Sequence, residues 1–225
     1  MNRHEDLRHH FEEEMDALRR DTVLLAGLVL ENCRTAAEAL MENRFDLIDK
    51  VTALDDEIDE RYSELERRTF LVIATQQPVA GDLRLLVSLT RILYELERCG
   101  NLVVNMVQAL RRNEGFQLSP QLNGLLARLT RETAELFSRG IDSLADLDAT
   151  AGLRLEREDD VVDDLVASLY AGLGTEAELH GVETAIQLSR VGRYLERLAD
   201  HGVNIAQHVT YIVAGEFPGN RKAAD

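Results

Sequence analysis

Twenty residues from the middle of the chain return near its end. The segment RILYELERCGNLVVNMVQAL (91–110) aligns without a gap with RVGRYLERLADHGVNIAQHV (190–209), so that Arg91, Glu97, Arg98 and Asn105 meet Arg190, Glu196, Arg197 and Asn204 at a constant offset of 99. A second echo lies upstream of each segment. DDEID (55–59) corresponds to DDVVD (159–163) at an offset of 104, so the second half is five residues shorter between its acidic segment and its last segment. A tandem duplication explains both echoes, and it restricts the chain to folds built twice from one unit.

The unit is helical. Apolar residues recur every three or four positions, as in Leu47, Val51, Leu54, Ile58, Tyr62, Leu65 and Val72, which is the period of one helix face. TFLVIATQQ has the β-branched content of a strand but continues that stripe, so it reads as the end of a helix. Pro78, Pro120 and Pro218 each fall where the pattern already breaks, and Ser119 with Pro120 reads as a helix N-cap followed by its first residue. Six helices are expected, near 5–42, 44–75, 79–113, 119–149, 152–175 and 181–215. The fold class is all-α, a tandem duplication of a three-helix bundle. The first bundle spans 1–114 and the second 119–216, with RRNEGFQ as a short linker between the halves and 217–225 left as a flexible tail.

Charge narrows the function classes. The 225 residues carry 41 Asp and Glu against 25 Lys and Arg, a formal charge of −16, which disfavours wholesale binding to nucleic acid or anionic lipid. Cys33 and Cys99 sit in amphipathic runs and are expected as small core residues, with no disulfide framework or thiolate site. No stretch approaches the ~20 apolar residues of a membrane span, and the N-terminus lacks a signal-peptide core. A cytoplasmic location is expected, as is the absence of catalysis, because no phosphate-cradling loop or nucleophile with its base is present.

The acids are stacked in a way that needs compensation. Asp55 faces Asp59 and Asp56 faces Glu60 at i, i+4, where like charges cost roughly 0.2–0.5 kcal/mol per pair. In a heptad frame Asp55 and Asp59 occupy e and b of helix 2, and Glu97 and Asn101 the same positions of helix 3. Asp159 and Asp163 repeat them on helix 5, and Glu196 and Asp200 on helix 6. If helices 2 and 3, and 5 and 6, are antiparallel neighbours, four oxygen-bearing side chains converge in each half. Small seam residues, Gly100, Gly192, Ala199, Gly202 and Ala206, permit close approach.

Carboxylates without histidine at the repeated positions form a hard-oxygen donor set suited to magnesium, manganese, calcium or iron rather than structural zinc. Against this, acids near a helix start are favoured by its dipole, and e and b residues often only face water. The dipole argument weighs most on Asp159 and Asp163, close to the expected start of helix 5. A di-iron bundle site needs Glu-x-x-His on two helices, which neither Glu97 nor Glu196 supplies. His201 and His208, seven apart on helix 6, are expected as packing or solvated residues rather than phosphotransfer histidines.

At LERLADHGVNIAQHVTYIVAG (195–215) the chain resembles the PhoU family. The E-R-x-x-D-x-x-x-N pattern at Glu196, Arg197, Asp200 and Asn204, its counterpart at Glu97, Arg98 and Asn105, both D-x-x-x-D motifs and AGDLRLL (80–86) carry the resemblance across essentially the whole sequence. It implies two three-helix bundles side by side. It implies multinuclear metal clusters on the bundle surfaces, with iron foremost and manganese, magnesium or zinc as alternatives. It further implies an adaptor that represses the phosphate-starvation response, linking the ATPase side of a phosphate ABC transporter to a sensor histidine kinase, commonly as a homodimer, and touching the membrane only through those partners. The family pattern has Asp where this chain has Asn101, so weaker or lower-nuclearity metal binding is expected in the first half. The competing expectations are a metal-binding or storage protein without phosphate signalling, and a plain helical interaction module.

Overall fold

The computed structural model describes residues 3–216, and side chains from residue 8 onward. Six helices account for the described chain: α1 (Arg3–Glu42), α2 (Asp46–Gln76), α3 (Ala80–Arg112), α4 (Pro120–Asp146), α5 (Ala151–His180) and α6 (Val182–Ala214). The expected tail at 217–225, with Pro218, lies outside the described residues. The β-branched TFLVIATQ segment is helical to Gln76, because Thr69 and Val72 bury on the shared stripe and the Thr69 hydroxyl donates to the Leu65 carbonyl at 2.8 Å. Ser119 caps α4 by accepting from the Leu122 amide at 3.3 Å, with Pro120 opening the helix.

Helix 5 is longer than its sequence suggests. The expected end is near 175, yet α5 continues to His180 and stops at Gly181, whose φ of 94° ends the helix. The last turn is held by a tertiary contact. Glu176 is buried and its carboxylate accepts from the Ser119 amide at the start of α4 at 3.3 Å, which outweighs the roughly 1 kcal/mol helix penalty of a glycine. Helix 4 is correspondingly shorter than expected, ending at Asp146 with Leu147 left-handed at φ 54°.

Helices α1, α2 and α3 pack together, as do α4, α5 and α6, and the two sets join through α3 on α6 and α1 on α4. These contacts arrange α2, α3, α6 and α5 in that order in one layer, with α1 and α4 beneath. Asn204 of α6 meets Glu95 of α3, Thr184 meets Asn113, and Arg84 lies beside Gly215. The two central helices therefore run antiparallel, and the duplicated halves are related by a pseudo-two-fold axis crossing them near Gly100 and Ala199.

The buried side chains form one connected core across both halves. The a/d seam of α3, including Leu89, Leu93, Leu96, Val103 and Leu110, is fully covered, at roughly 1.5–3 kcal/mol per large side chain. The same helix hides a second stripe at g and c, formed by Ile92, Cys99, Leu102, Met106 and Ala109, and α6 repeats it with Val191, Leu198, His201, Ile205 and His208. Two seams per central helix let α3 and α6 serve their own bundle and each other. Close contact in the second half depends on Gly140 and Gly202. A Cβ on Gly202 would lie 2.9 Å from the Phe137 Cα, and one on Gly140 only 2.5 Å from the Gly202 carbonyl oxygen, so α4 and α6 touch backbone to backbone.

Candidate functional site

The acidic residues form two related clusters in the layer containing α3 and α6. Asp55 lies nine residues into α2 and Asp159 eight into α5, beyond the first turn where a helix dipole acts. The dipole thus explains neither pair. The like-charge stacking is left without compensation from the helix start.

In the first half, the charge of Glu97 on α3 reaches Asp55 on α2. Burial pushes the Asp55 pKa up to about 6, helped by Asp59, Asp56 and Glu97. Asp59 is also raised, by burial and then by Asp56. Asn101 joins the cluster through Glu97, its Nδ2 donating to the Glu97 Oε1 at 2.6 Å. Asp55 is half-buried and Asp59 exposed, so e turns toward the neighbouring helix and b toward water. The Asp55 carboxylate fills the space left by Gly100, where a Cβ would stand 2.3 Å from its Oδ1. That Oδ1 is buried and makes no hydrogen bond among the described residues.

The second half repeats the arrangement with more charge. Burial pushes the Asp159 pKa up to about 7, with Asp200, Asp163, Asp160 and Glu196 adding to it in that order. Asp163 and Asp200 are both raised, by burial and then by Glu196. Asp159 Oδ1 is the counterpart of Asp55 Oδ1, again buried without a hydrogen-bond partner among the described residues. Glu196 is partly neutralised by Arg193, at 2.7 Å. The structure therefore groups Asp55, Asp59, Glu97 and Asn101 in one cluster and Asp159, Asp163, Glu196 and Asp200 in the other. Among the described residues no three His, Cys, Asp or Glu side chains stand in a ready-made metal-holding arrangement.

The histidines pack. His201 and His208 are buried between α3 and α6, with His201 Nδ1 against Glu95 Oε2 and Asn204 Nδ2 donating to the same oxygen at 3.3 Å. Burial raises the Glu95 pKa, but His201, Asn204 and His208 outweigh it and hold the carboxylate below its ordinary value. The sequence reading missed Glu95 because its repeat partner is Tyr194. The available signal was the g/c stripe, on which Glu95 and both histidines fall. Cys33 and Cys99 are buried, and burial pushes the Cys33 thiol up to about 12 and the Cys99 thiol well above its ordinary value. Both act as core residues. No helix among the described residues is long and apolar enough to cross a membrane.

Known proteins share this architecture end to end. The family model described as the PhoU domain matches twice, at residues 22–110 and 126–209. A phosphate-specific transport system accessory protein PhoU homolog from Synechocystis is 33% identical over 210 residues, 93% of either chain. The homolog of the same name from Deinococcus radiodurans is 34% identical over 214 residues, covering 93% of this chain and 99% of its own. The crystal structure of PhoU from Pseudomonas aeruginosa superimposes with a TM-score of 0.85 at 26% identity, over 92% of this chain and all of that one. The Streptococcus pneumoniae phosphate transport system regulatory protein PhoU, at 22% identity and TM-score 0.84, shares the fold. The duplicated helices, the twice-matched domain and relatives above 30% identity along nearly the full length place this chain in the PhoU family.

Proposed function

We propose that this chain regulates phosphate uptake as an accessory protein of a phosphate-specific transport system. It represses the phosphate-starvation response when phosphate is plentiful and links the transporter's ATPase side to a sensor histidine kinase. The observation carrying the regulatory reading is the end-to-end match to accessory proteins of that name, over 93% of this chain. The relation covers the whole architecture rather than one motif. The fold suits an adaptor: two joined bundles present broad helical faces, and a partner shifts signalling through its differential affinity for the complexes formed. Deleting the gene is expected to switch on starvation genes in phosphate-rich medium. Unchanged expression would overturn the regulatory role.

The same reading gives each half a cation site. The donor set fits: Asp55 Oδ1 and Asp159 Oδ1 are buried carboxyl oxygens without hydrogen-bond partners among the described residues, in clusters of hard donors that suit iron, manganese or magnesium. Asp55, Asp59, Glu97 and Asn101 would hold the ion in the first half, and Asp159, Asp163, Glu196 and Asp200 in the second. The bound ion supplies positive charge that cancels the like-charge stacking and stiffens the contact between neighbouring helices. Elemental analysis of the protein beside an Asp159→Asn, Asp163→Asn, Glu196→Gln, Asp200→Asn variant tests this reading. Stoichiometric metal in the parent, reduced in a variant that remains helical by circular dichroism, is expected; metal-free protein in both cases would overturn it.

A further inference from the structure

In this acidic protein the outward face of α3 and α6 carries a row of arginines. Arg91 and Arg98 on α3 and their repeat counterparts Arg190 and Arg197 on α6 all fall at heptad position f, outside both buried seams, with Arg91 close enough to His208 for its charge to act there. Arg91, Arg98 and Arg190 are exposed and Arg197 is partly exposed. Other arginines find acids, as Arg68 does with Asp21 at 2.7 Å and Arg139 with Glu158 at 2.5 Å, or stand singly without one among the described residues, as Arg34 does on α1. These four form no ion pair among the described residues: Arg98 stacks over the Tyr94 ring at 5.6 Å, and Arg190 reaches only the Gln187 amide oxygen at 3.5 Å.

The antiparallel register set by Glu95 with Asn204 and Asn113 with Thr184 arranges the four in a line. Arg91 comes first, then Arg98, then Arg197 about one helical turn on, then Arg190. At a rise of 1.5 Å per residue the row extends roughly 27 Å along the helix axes, with intervals of about seven, four and seven residues. Such spacing matches one face of a partner helix about five turns long. The pseudo-two-fold axis makes the line read alike in both directions. Unpaired guanidinium groups in a chain of net charge −16 are complementary to carboxylates presented at that spacing, and guanidinium suits them through paired hydrogen bonds.

We propose that this face docks an acidic helical segment of a partner protein, with Arg91, Arg98, Arg197 and Arg190 reading carboxylates on one side of that helix. The proposal deepens the adaptor reading and rests on it, by giving the scaffold a contact surface and stating the partner's chemistry.

The probe is a labelled, alanine-rich helical peptide of about 20 residues with glutamates about seven, four and seven residues apart, compared with a scrambled peptide of the same composition. Fluorescence anisotropy with the full-length protein is expected to show binding to the ordered peptide that weakens with salt. Arg91→Ala/Arg190→Ala is expected to lose binding by roughly tenfold or more, while Arg34→Ala, at an exposed arginine on α1, keeps it. If the alanine pair is not helical by circular dichroism, Arg91→Gln/Arg190→Gln replaces it. Equal binding of the scrambled peptide, or unchanged binding by the folded arginine variant, would overturn the proposal. So would displacement by inorganic polyphosphate at lower concentration than by the ordered peptide. A deletion strain without a phenotype, with peptide binding intact, would remove the adaptor reading and leave the surface standing.

Discussion

The two acidic clusters share a plan, and the side chains exchanged between them, Tyr94 for Arg193 among them, set their chemistry. The first half has Asn101 and Gly100 where the second has Asp200 and Ala199. Asn101 donates to Glu97 at 2.6 Å, whereas Asp200 adds a negative charge and, after burial, is the largest cause of the Asp159 shift. Asp159 accordingly titrates at about 7 and Asp55 at about 6. Gly100 makes room for the Asp55 oxygen, while the second half buries its equivalent oxygen with Ala199 at the repeat position of Gly100. A duplicated site can therefore keep its geometry while one side-chain exchange alters how strongly its anionic form is disfavoured.

The comparison breaks most visibly at the metal. Titration with Mn(II) or Fe(II) is expected to show tighter binding in the second half. Asp200→Asn should weaken that site by roughly 100-fold, about 2.7 kcal/mol, on the scale of lost metal-site partners. Asn101→Asp should strengthen the first site. Equal affinities in the two halves of the parent would sink the comparison.

A smaller effect tests what joins the halves. Glu95→Ala strips the buried His201 ring of its carboxylate and is expected to cost about 2 kcal/mol, read as a lower urea midpoint. A midpoint unchanged from the parent would show that the pair adds nothing to the interface.

The glycine difference gives a smaller change of opposite sign. Gly100→Ala is expected to raise stability by up to ~1 kcal/mol through helix propensity. The added Cβ clashes with the end of the Asp55 side chain, which can swing outward, and otherwise makes an ordinary contact with Ile58, and the equivalent position already carries Ala199. Gly202→Ala meets Phe137 backbone instead and should destabilise. Thermal melts of both variants check the contrast, and a destabilised Gly100→Ala would show that the carboxylate cannot move.

The shallowest effect is with pH, because Asp55 and Asp159 are only half-buried and solvent screens them. Each binds its proton more tightly in the folded chain than at the ordinary value of 3.8. The folded state then holds more protons than the unfolded state above that value. Stability of the metal-free protein is fully present below pH about 3.8 for these groups, and is lost as pH rises through about 6 for Asp55 and about 7 for Asp159. Asp159→Asn should flatten the upper part of that decline, measured by urea unfolding across pH.

Periodicity exposed the six helices, the duplication and the grouping of acids by halves, because each of these is written in residues a few turns apart or in repeated segments. Asp55 and Asp59 were legible as a pair. That Asp55 keeps a buried, partnerless oxygen while Asp59 faces water was not, since it depends on the space over Gly100 across the α2–α3 contact. The last turn of α5 was misread because its glycines signal an end locally, while Glu176 is held by the start of another helix. The Glu95 and His201 pair escaped because a heptad frame with one seam leaves both residues facing solvent.

What the sequence determined by itself was which faces must be hidden and that the chain repeats one unit, for amphipathic periodicity is a local property. The tertiary structure decided which helix covers each face, the antiparallel pairing of α3 with α6, and hence which carboxylates share a cluster and which arginines share a line. Those choices rest on contacts between residues some hundred positions apart, where packing and desolvation are settled jointly by two helices and neither segment specifies the outcome alone.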